Sequence, residues 1–185
     1  MKELTEIEQK MFDWDNELRF YGSEYSDEKV IEVAQKAINF AYANFKKKET
    51  VFEGFDFQYE SHIENIALGI EAYLQKNPEN KKSKLIQDFV LSIINTEKYG
   101  QGRSGFIYLL YILKMDLELK KIARERLDFW KQPRLCFQLL YALYRRKIEG
   151  FEKEAEMLIQ HYPKEKALTK YAHKYIERLT RKANS

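Results

Sequence analysis

Apolar residues recur every three or four positions along most of this 185-residue chain, the spacing that places them on one face of an α-helix. Turn-forming residues are scarce, with only 7 Gly and 3 Pro, whereas an all-β sandwich or barrel uses many of both in its turns. The pattern therefore predicts an all-α protein of about nine helices. The first apolar stripe consists of Leu4, Ile7, Met11, Trp14 and Leu18.

Local signals mark several helix ends. Ser26, followed by two acidic residues, predicts the N-cap of a helix from about 27 to about 47. Asp116 is expected to cap a later helix, and Pro133 is expected at the first position of the next, where its missing N–H costs nothing. These signals divide the helical pattern into separate helices, as expected for a protein built of several helices.

The segment 49–60 departs from the helical pattern, and its aromatic residues predict a short strand or an aromatic loop. Residues 61–64 then match a capping box, which predicts the start of the third helix. Aromatic rings flanked by carboxylates suit the binding of a basic protein. The alternative is that these rings fold back into the core. The candidate partner-binding residues are Glu53, Phe55, Asp56, Phe57, Tyr59 and Glu60.

Charge is divided unevenly along the chain. Residues 1–74 hold 8 Lys/Arg and 16 Asp/Glu, a net charge of −8, and residues 75–185 hold 24 and 13, a net charge of +11. Such a dipolar distribution can steer a charged partner. On the last predicted helix the basic residues fall largely opposite the apolar face. They form either an ordinary solvated surface or a stripe that binds phosphate groups. The candidate anion-binding residues are Arg103, Lys166, Lys170, Lys174, Arg178 and Arg181.

Residues 100–105 read Gly-Gln-Gly-Arg-Ser-Gly, which fits the letters of a dinucleotide-binding motif. That site needs a strand before the motif and an acid at the end of a second strand about 20 residues later. Here the preceding segment 85–94 has helical spacing, and Glu125 falls within a predicted helix. The motif therefore predicts an interhelical connector, with Arg103 as a candidate anion ligand, and no cofactor is expected.

No arrangement of residues predicts catalysis or metal binding. The three histidines, His62, His161 and His173, are scattered, while a zinc site needs three or four ligands. The lone Cys136 lies in an apolar helical stretch, which favours a buried structural thiol over a nucleophile. We therefore expect no metal and no enzymatic activity.

Two segments of the chain echo one another. Leu-Leu-Tyr-Ile-Leu at 109–113 returns as Leu-Leu-Tyr-Ala-Leu at 139–143, and the helices that follow each segment also correspond. Repeated helix–connector–helix units are typical of stacked helical hairpins, which share one core because none can bury its apolar side alone. The alternative is an irregular bundle in which two core helices have similar apolar residues.

From about residue 105 to residue 180 the chain resembles the short HEAT-like repeats, whose units are paired antiparallel helices of about this period. The resemblance implies a binding scaffold that presents a concave surface to proteins or nucleic acids. Small helical bacterial immunity proteins, which neutralise toxins, look similar. On this basis residues 1–185 are expected to form one domain, with acidic helices over 1–98 and HEAT-like hairpins over 105–182.

The expected function is a non-enzymatic protein-binding scaffold, in its specific form an immunity protein that covers the working surface of a partner such as a basic toxin domain. The alternative is a helical repeat protein that binds nucleic acid through its basic C-terminal half. The longest apolar run, 106–113, has 8 residues, far short of the ~20 that cross a bilayer. With no signal-peptide pattern and one cysteine, the expected location is the cytoplasm, without a membrane partner.

Overall fold

The computed structural model describes residues 5–45 and 57–183, with side chains from 5–45 and 59–178. Over these ranges the chain forms nine α-helices and no β-strand, which confirms the all-α prediction. None of the described helices is long and apolar enough to cross a membrane. The helices are α1 (Glu6–Asn16), α2 (Asp27–Phe45), α3 (Phe57–Lys76), α4 (Lys84–Ile94), α5 (Ser104–Ile112), α6 (Asp116–Glu125), α7 (Pro133–Arg146), α8 (Glu152–His161) and α9 (Lys166–Ala183).

Two of the predicted helix starts are confirmed. α2 begins at Asp27, and the Ser26 hydroxyl accepts a hydrogen bond from the Lys29 amide at 3.4 Å. This bond satisfies one of the amides that have no partner within the helix. Pro133 is the first residue of α7.

Two other predicted helix starts are wrong. Asp116 is the first helical residue of α6 rather than its cap, and its carboxylate accepts a hydrogen bond from Arg146 at 2.8 Å. α3 begins at Phe57, four residues before the predicted cap at Ser61, so residues 57–60 are helical. The reason is that Tyr59 is buried together with Ile63, one turn later, and so extends the apolar face of α3 by a turn. The remainder of the predicted strand or loop, 49–56, lies outside the described residues.

The chain divides into two compact units, Met1–Leu113 and Lys114–Ser185, called here the N-terminal and C-terminal units. The division falls inside the stretch 105–182 that the sequence assigns to HEAT-like hairpins, because α5 packs with α3 and α4. The single domain over 1–185 and the HEAT-like repeat stay predictions.

α3 is the helix about which the N-terminal unit packs. α1, α2, α5 and the 3-10 turn Glu97–Arg103 all contact it. Burying one large apolar side chain contributes about 1.5–3 kcal/mol to stability, and α3 buries such side chains along its whole length. They are Tyr59, Ile63, Ile66, Ile70, Tyr73 and Leu74.

The Gly-rich motif at 100–105 lays its backbone against α3. A Cβ atom added at Gly102 would lie 2.7 Å from Ile63 Cβ and 2.8 Å from the Glu60 carbonyl oxygen. One added at Gly105 would lie 2.8 Å from Ala67 Cβ. Both approaches are well inside the ~3.5–4 Å of an ordinary carbon contact, so the glycines permit close packing between this connector and α3.

We predict that Gly102→Ala lowers the free energy of unfolding by about 1–3 kcal/mol, because the added methyl group would have to displace the backbone of α3. Urea denaturation followed by circular dichroism measures the change. Gly22→Ala is the matched control, since the nearest atom to its added Cβ is the Glu17 carbonyl oxygen at 3.8 Å. Equal stability of the two variants would contradict the packing role of the motif.

In the C-terminal unit, α7 contacts α6 and α9, and α8 contacts α9. Three polar contacts fix these elements. Two guanidinium nitrogens of Arg146 donate to the carboxylate of Asp116, and the Trp130 indole donates to the Ala123 carbonyl oxygen at 2.9 Å. The Tyr175 hydroxyl donates to the Ile148 carbonyl oxygen at 2.8 Å. These bonds join α6 to α7, the segment before α7 to α6, and α9 to the segment that follows α7.

Candidate functional site

The predicted partner-binding segment is only partly described. Glu53, Phe55 and Asp56 lie outside the described residues, and Phe57 begins α3. Tyr59 and Glu60 are buried. The Tyr59 hydroxyl donates to the Lys98 carbonyl oxygen at 3.3 Å, and the Glu60 carboxylate accepts from the Gln101 amide at 2.9 Å. Both side chains therefore join α3 to the connector that precedes α5 instead of standing at the surface.

Arg103, a predicted anion ligand, is 2% exposed. Its Nε donates to the Gly100 carbonyl oxygen at 2.7 Å and its Nη1 to the Ile94 carbonyl oxygen at 3.3 Å. Ile94 is the last residue of α4, where carbonyl groups have no partner within the helix. The guanidinium thus satisfies backbone carbonyls at the end of α4 and in the connector, a structural role that the sequence analysis missed.

Three aromatic side chains on the first helix and its extension are exposed. α1 continues as a π-helical turn, Glu17–Tyr21, and here Phe20 and Tyr21 are 64% and 62% exposed, while Phe12 on α1 is 53% exposed. Exposed apolar patches on a protein are typical of sites that a partner covers. We call Phe12, Phe20, Tyr21 and the neighbouring carboxylates of Asp13 and Glu17 the acidic–aromatic surface.

The anchoring of the π-turn explains why the Phe20 ring points outward. Leu18 is buried against α3, where a Cβ atom at Gly69 would come within 2.7 Å of Leu18 Cβ. Arg19 donates to the Asn65 side chain at 3.4 Å. Because Leu18 is held inward on α3, Phe20, two residues later in the helical turn, points to the opposite side. π-turns of this kind occur often at functional sites.

Carboxylates dominate the surroundings of the exposed rings. Residues 5–25 hold six Asp/Glu and two basic residues. Of the two basic side chains, Lys10 is exposed, with its ammonium 5.5 Å from the Trp14 ring centroid, and Arg19 is half-buried and donates to Asn65. Glu17 is half-buried, and its carboxylate accepts a hydrogen bond from the Tyr25 hydroxyl at 3.0 Å, which raises the pKa of Tyr25. The surface is therefore acidic as well as aromatic.

The basic residues predicted on the last helix are largely exposed. Lys166, Lys170 and Lys174 lie at the surface of α9, and Arg178 is half-buried. The side chain of Arg181 is outside the described residues. Arg178 donates to the Tyr144 carbonyl oxygen. The sequence therefore placed the three lysines correctly on the solvent side of α9.

An aromatic cluster on α7 and α9 borders these cations. The Tyr171 ring meets the rings of Phe137, Tyr141 and Tyr144 edge to face, at centroid distances of 5.7, 5.1 and 5.9 Å. All four side chains are half-exposed. Tyr175, one turn after Tyr171 on α9, is buried.

Titratable groups elsewhere do not form a reactive arrangement among the residues that the structure describes. No cluster of three or more His, Cys, Asp or Glu side chains there could hold a metal ion. His62 packs on Phe45, with ring centroids 4.4 Å apart, and burial lowers the pKa of its imidazole. Burial raises the pKa of the Cys136 thiol to about 12, so that thiol carries its proton at neutral pH.

No protein-family model, curated protein or solved structure matches the chain.

We predict that Cys136 resists alkylation by iodoacetamide at pH 8 in the folded protein. Its thiol is buried, Sγ lies 3.2 Å from the Pro133 carbonyl oxygen, and the thiolate that would react is scarce. Mass spectrometry measures the labelled fraction with time, and 6 M guanidinium chloride serves as the unfolded control. Rapid labelling without denaturant would contradict the burial of this thiol.

Asp15 gives a pH-dependent prediction. Burial raises the pKa of its carboxyl from 3.8 to about 6, and among the described residues its buried Oδ1 has no hydrogen-bond partner. Asp15 therefore lowers the stability of the folded chain as the pH rises from about 4, and the loss is complete above about pH 6. Asp15→Asn should raise the free energy of unfolding by about 1–2 kcal/mol at pH 8. This gain should shrink as the pH falls below 6 and disappear below about 4, because the carboxyl of Asp15 is then protonated in both the folded and the unfolded chain.

Urea denaturation at pH 4, 6 and 8 measures this difference between the native chain and the variant. Asp13→Asn on the same helix is the control, since Asp13 is exposed and changes at such positions stay within about 0.5 kcal/mol. A gain from Asp15→Asn that is independent of pH would show that the carboxyl is not the cause.

Proposed function

We propose that this chain is a non-enzymatic protein-binding scaffold whose acidic–aromatic surface on α1 and the π-turn binds a basic surface of its partner. The observation that carries the proposal is the exposure of Phe12, Phe20 and Tyr21 on one anchored helical segment. Large rings at the centre of an interface supply most of its binding free energy. Leaving three of them in water is unfavourable, and a partner that covers them recovers that free energy.

The charges of the N-terminal unit indicate that the partner is basic. The N-terminal unit holds 14 Lys/Arg and 19 Asp/Glu, a net charge of −5, and residues 5–25 around the rings hold six Asp/Glu against two basic residues. Opposite charges accelerate association and discriminate against acidic partners. A protein with Lys or Arg around an apolar pocket is complementary to this surface.

The surface also fits a rigid mode of action. Leu18 and Arg19 hold the π-turn on α3. The backbone that carries Phe20 and Tyr21 is therefore fixed before binding. Pre-organisation of this kind reduces the ordering cost of association. In its specific form, the proposal is an immunity protein that neutralises a basic toxin domain by covering its working surface, acting in the cytoplasm.

The test uses the protein encoded by the gene beside that of this chain as the candidate partner. We expect the two purified proteins to form a complex by size-exclusion chromatography and calorimetry, with affinity that falls as salt increases. Phe12→Ser combined with Phe20→Ser should weaken it by about 2 kcal/mol or more, about 30-fold. Because both residues are exposed, the fold should be unchanged by circular dichroism.

Leu85→Ser on α4 is the matched control, because this leucine is 49% exposed in the same unit and lies outside the acidic–aromatic surface. It should leave the affinity unchanged. An affinity that Phe12→Ser and Phe20→Ser do not alter, or that Leu85→Ser lowers equally, would refute a binding role for these rings. A neighbouring protein that does not bind refutes the immunity form of the proposal.

A further inference from the structure

We propose that the C-terminal unit binds single-stranded nucleic acid on the surface formed by α7 and α9, called here the basic–aromatic surface. Its aromatic part is the cluster of Phe137, Tyr141, Tyr144 and Tyr171, and its basic part is the row of exposed lysines on α9. The proposal is independent of the acidic–aromatic surface, because it concerns another unit and a partner of opposite charge.

The first observation is the alternation of rings and cations. The Arg145 guanidinium lies 6.0 Å from the Tyr141 ring centroid, and Lys174 Nζ lies 5.4 Å from that of Tyr171. The Arg178 guanidinium lies 5.1 Å from the centroid of Tyr144. Surfaces that bind single strands combine cations for the phosphates with aromatic rings on which bases stack.

The second observation is the arrangement of the lysines. Lys166, Lys170 and Lys174 follow one another at intervals of four residues, or about 6 Å of helix, and all three are exposed. Within the described part of the chain none of them forms an ion pair with a carboxylate. The C-terminal unit as a whole holds 18 Lys/Arg and 10 Asp/Glu, a net charge of +8. Displacing counterions from a phosphate backbone favours binding to such a row.

The third observation distinguishes single strands from duplexes. The aromatic rings of the cluster are half-exposed, and Tyr171 is held by edge-to-face contacts with three rings of α7. A base can stack on a fixed ring only when it is unpaired and can leave its own stack. Lys174, on a long exposed side chain, can move from the face of Tyr171 to a phosphate when a base takes its place.

The experiment measures fluorescence anisotropy of labelled 15-nucleotide dT and U strands with the full chain. We expect micromolar dissociation constants near 0.15 M salt, a linear fall of log affinity with log salt, and weaker binding of a duplex that offers no unpaired bases. Lys170→Glu combined with Lys174→Glu should reduce the salt slope by about 0.7 for each phosphate that is no longer neutralised. Their exposure makes the fold insensitive to these changes, which circular dichroism verifies.

Tyr171→Leu isolates the contribution of stacking. It should weaken binding about tenfold with the salt slope unchanged, while Tyr171→Phe, which keeps the ring, should bind as the native chain does. The charge-matched control is Lys121→Glu combined with Arg124→Glu, two exposed changes on α6. This control should retain most of the affinity.

Three results would overturn the proposal. The first is no binding to either strand at 0.05 M salt. The second is an equal loss of affinity in the α6 control, which would show that net charge alone is responsible. The third is a combined result: poly-glutamate competes as effectively as unlabelled dT, and Tyr171→Leu binds with the affinity of the native chain. That result would assign the surface to an acidic protein.

Discussion

The N-terminal unit depends on the close packing of other elements around α3. The connector at 100–105 can approach α3 because Gly102 and Gly105 present no side chain, and Leu18 can do so because α3 has a glycine at 69. Protein interiors are packed as densely as organic crystals, so each approach fixes the position of the chain on either side of it. One approach places the start of α5, and the other orients the π-turn that carries Phe20 and Tyr21. The packing of the core thereby decides which aromatic side chains remain at the surface.

The two units present surfaces of opposite charge that both combine aromatic rings with charged groups. On the π-turn of the N-terminal unit the rings are exposed among carboxylates, and on α7 and α9 they are half-exposed among Lys and Arg. In both cases the rings are held by helices that pack elsewhere, which limits the entropy lost on binding. We infer two separate binding roles because partners attracted by one charge are repelled by the other.

The sequence predicted the helices better than the contacts between them. Hydrophobic spacing and the signals at Ser26 and Pro133 depend on neighbouring residues, and these predictions were confirmed. The cap assigned to Asp116 was wrong because its carboxylate binds Arg146, thirty residues away. The start of α3 was misplaced because Tyr59 is buried by elements distant in sequence, among them the connector at Lys98. The exposure of Phe20 could have been found from its position opposite Met11 and Leu18 on the helical wheel.

Sequence alone determined that this protein is helical, that Cys136 belongs to an apolar helix, and that the lysines of α9 face the solvent. Local periodicity suffices for these conclusions, because a helix repeats every 3.6 residues wherever it packs. Tertiary structure alone decided that Arg103 and Glu60 bind backbone groups in the interior, and that Tyr171 stands at the surface beside three rings of α7. Residues far apart in sequence meet in these contacts, so their partners follow from how the helices pack rather than from the order of the residues.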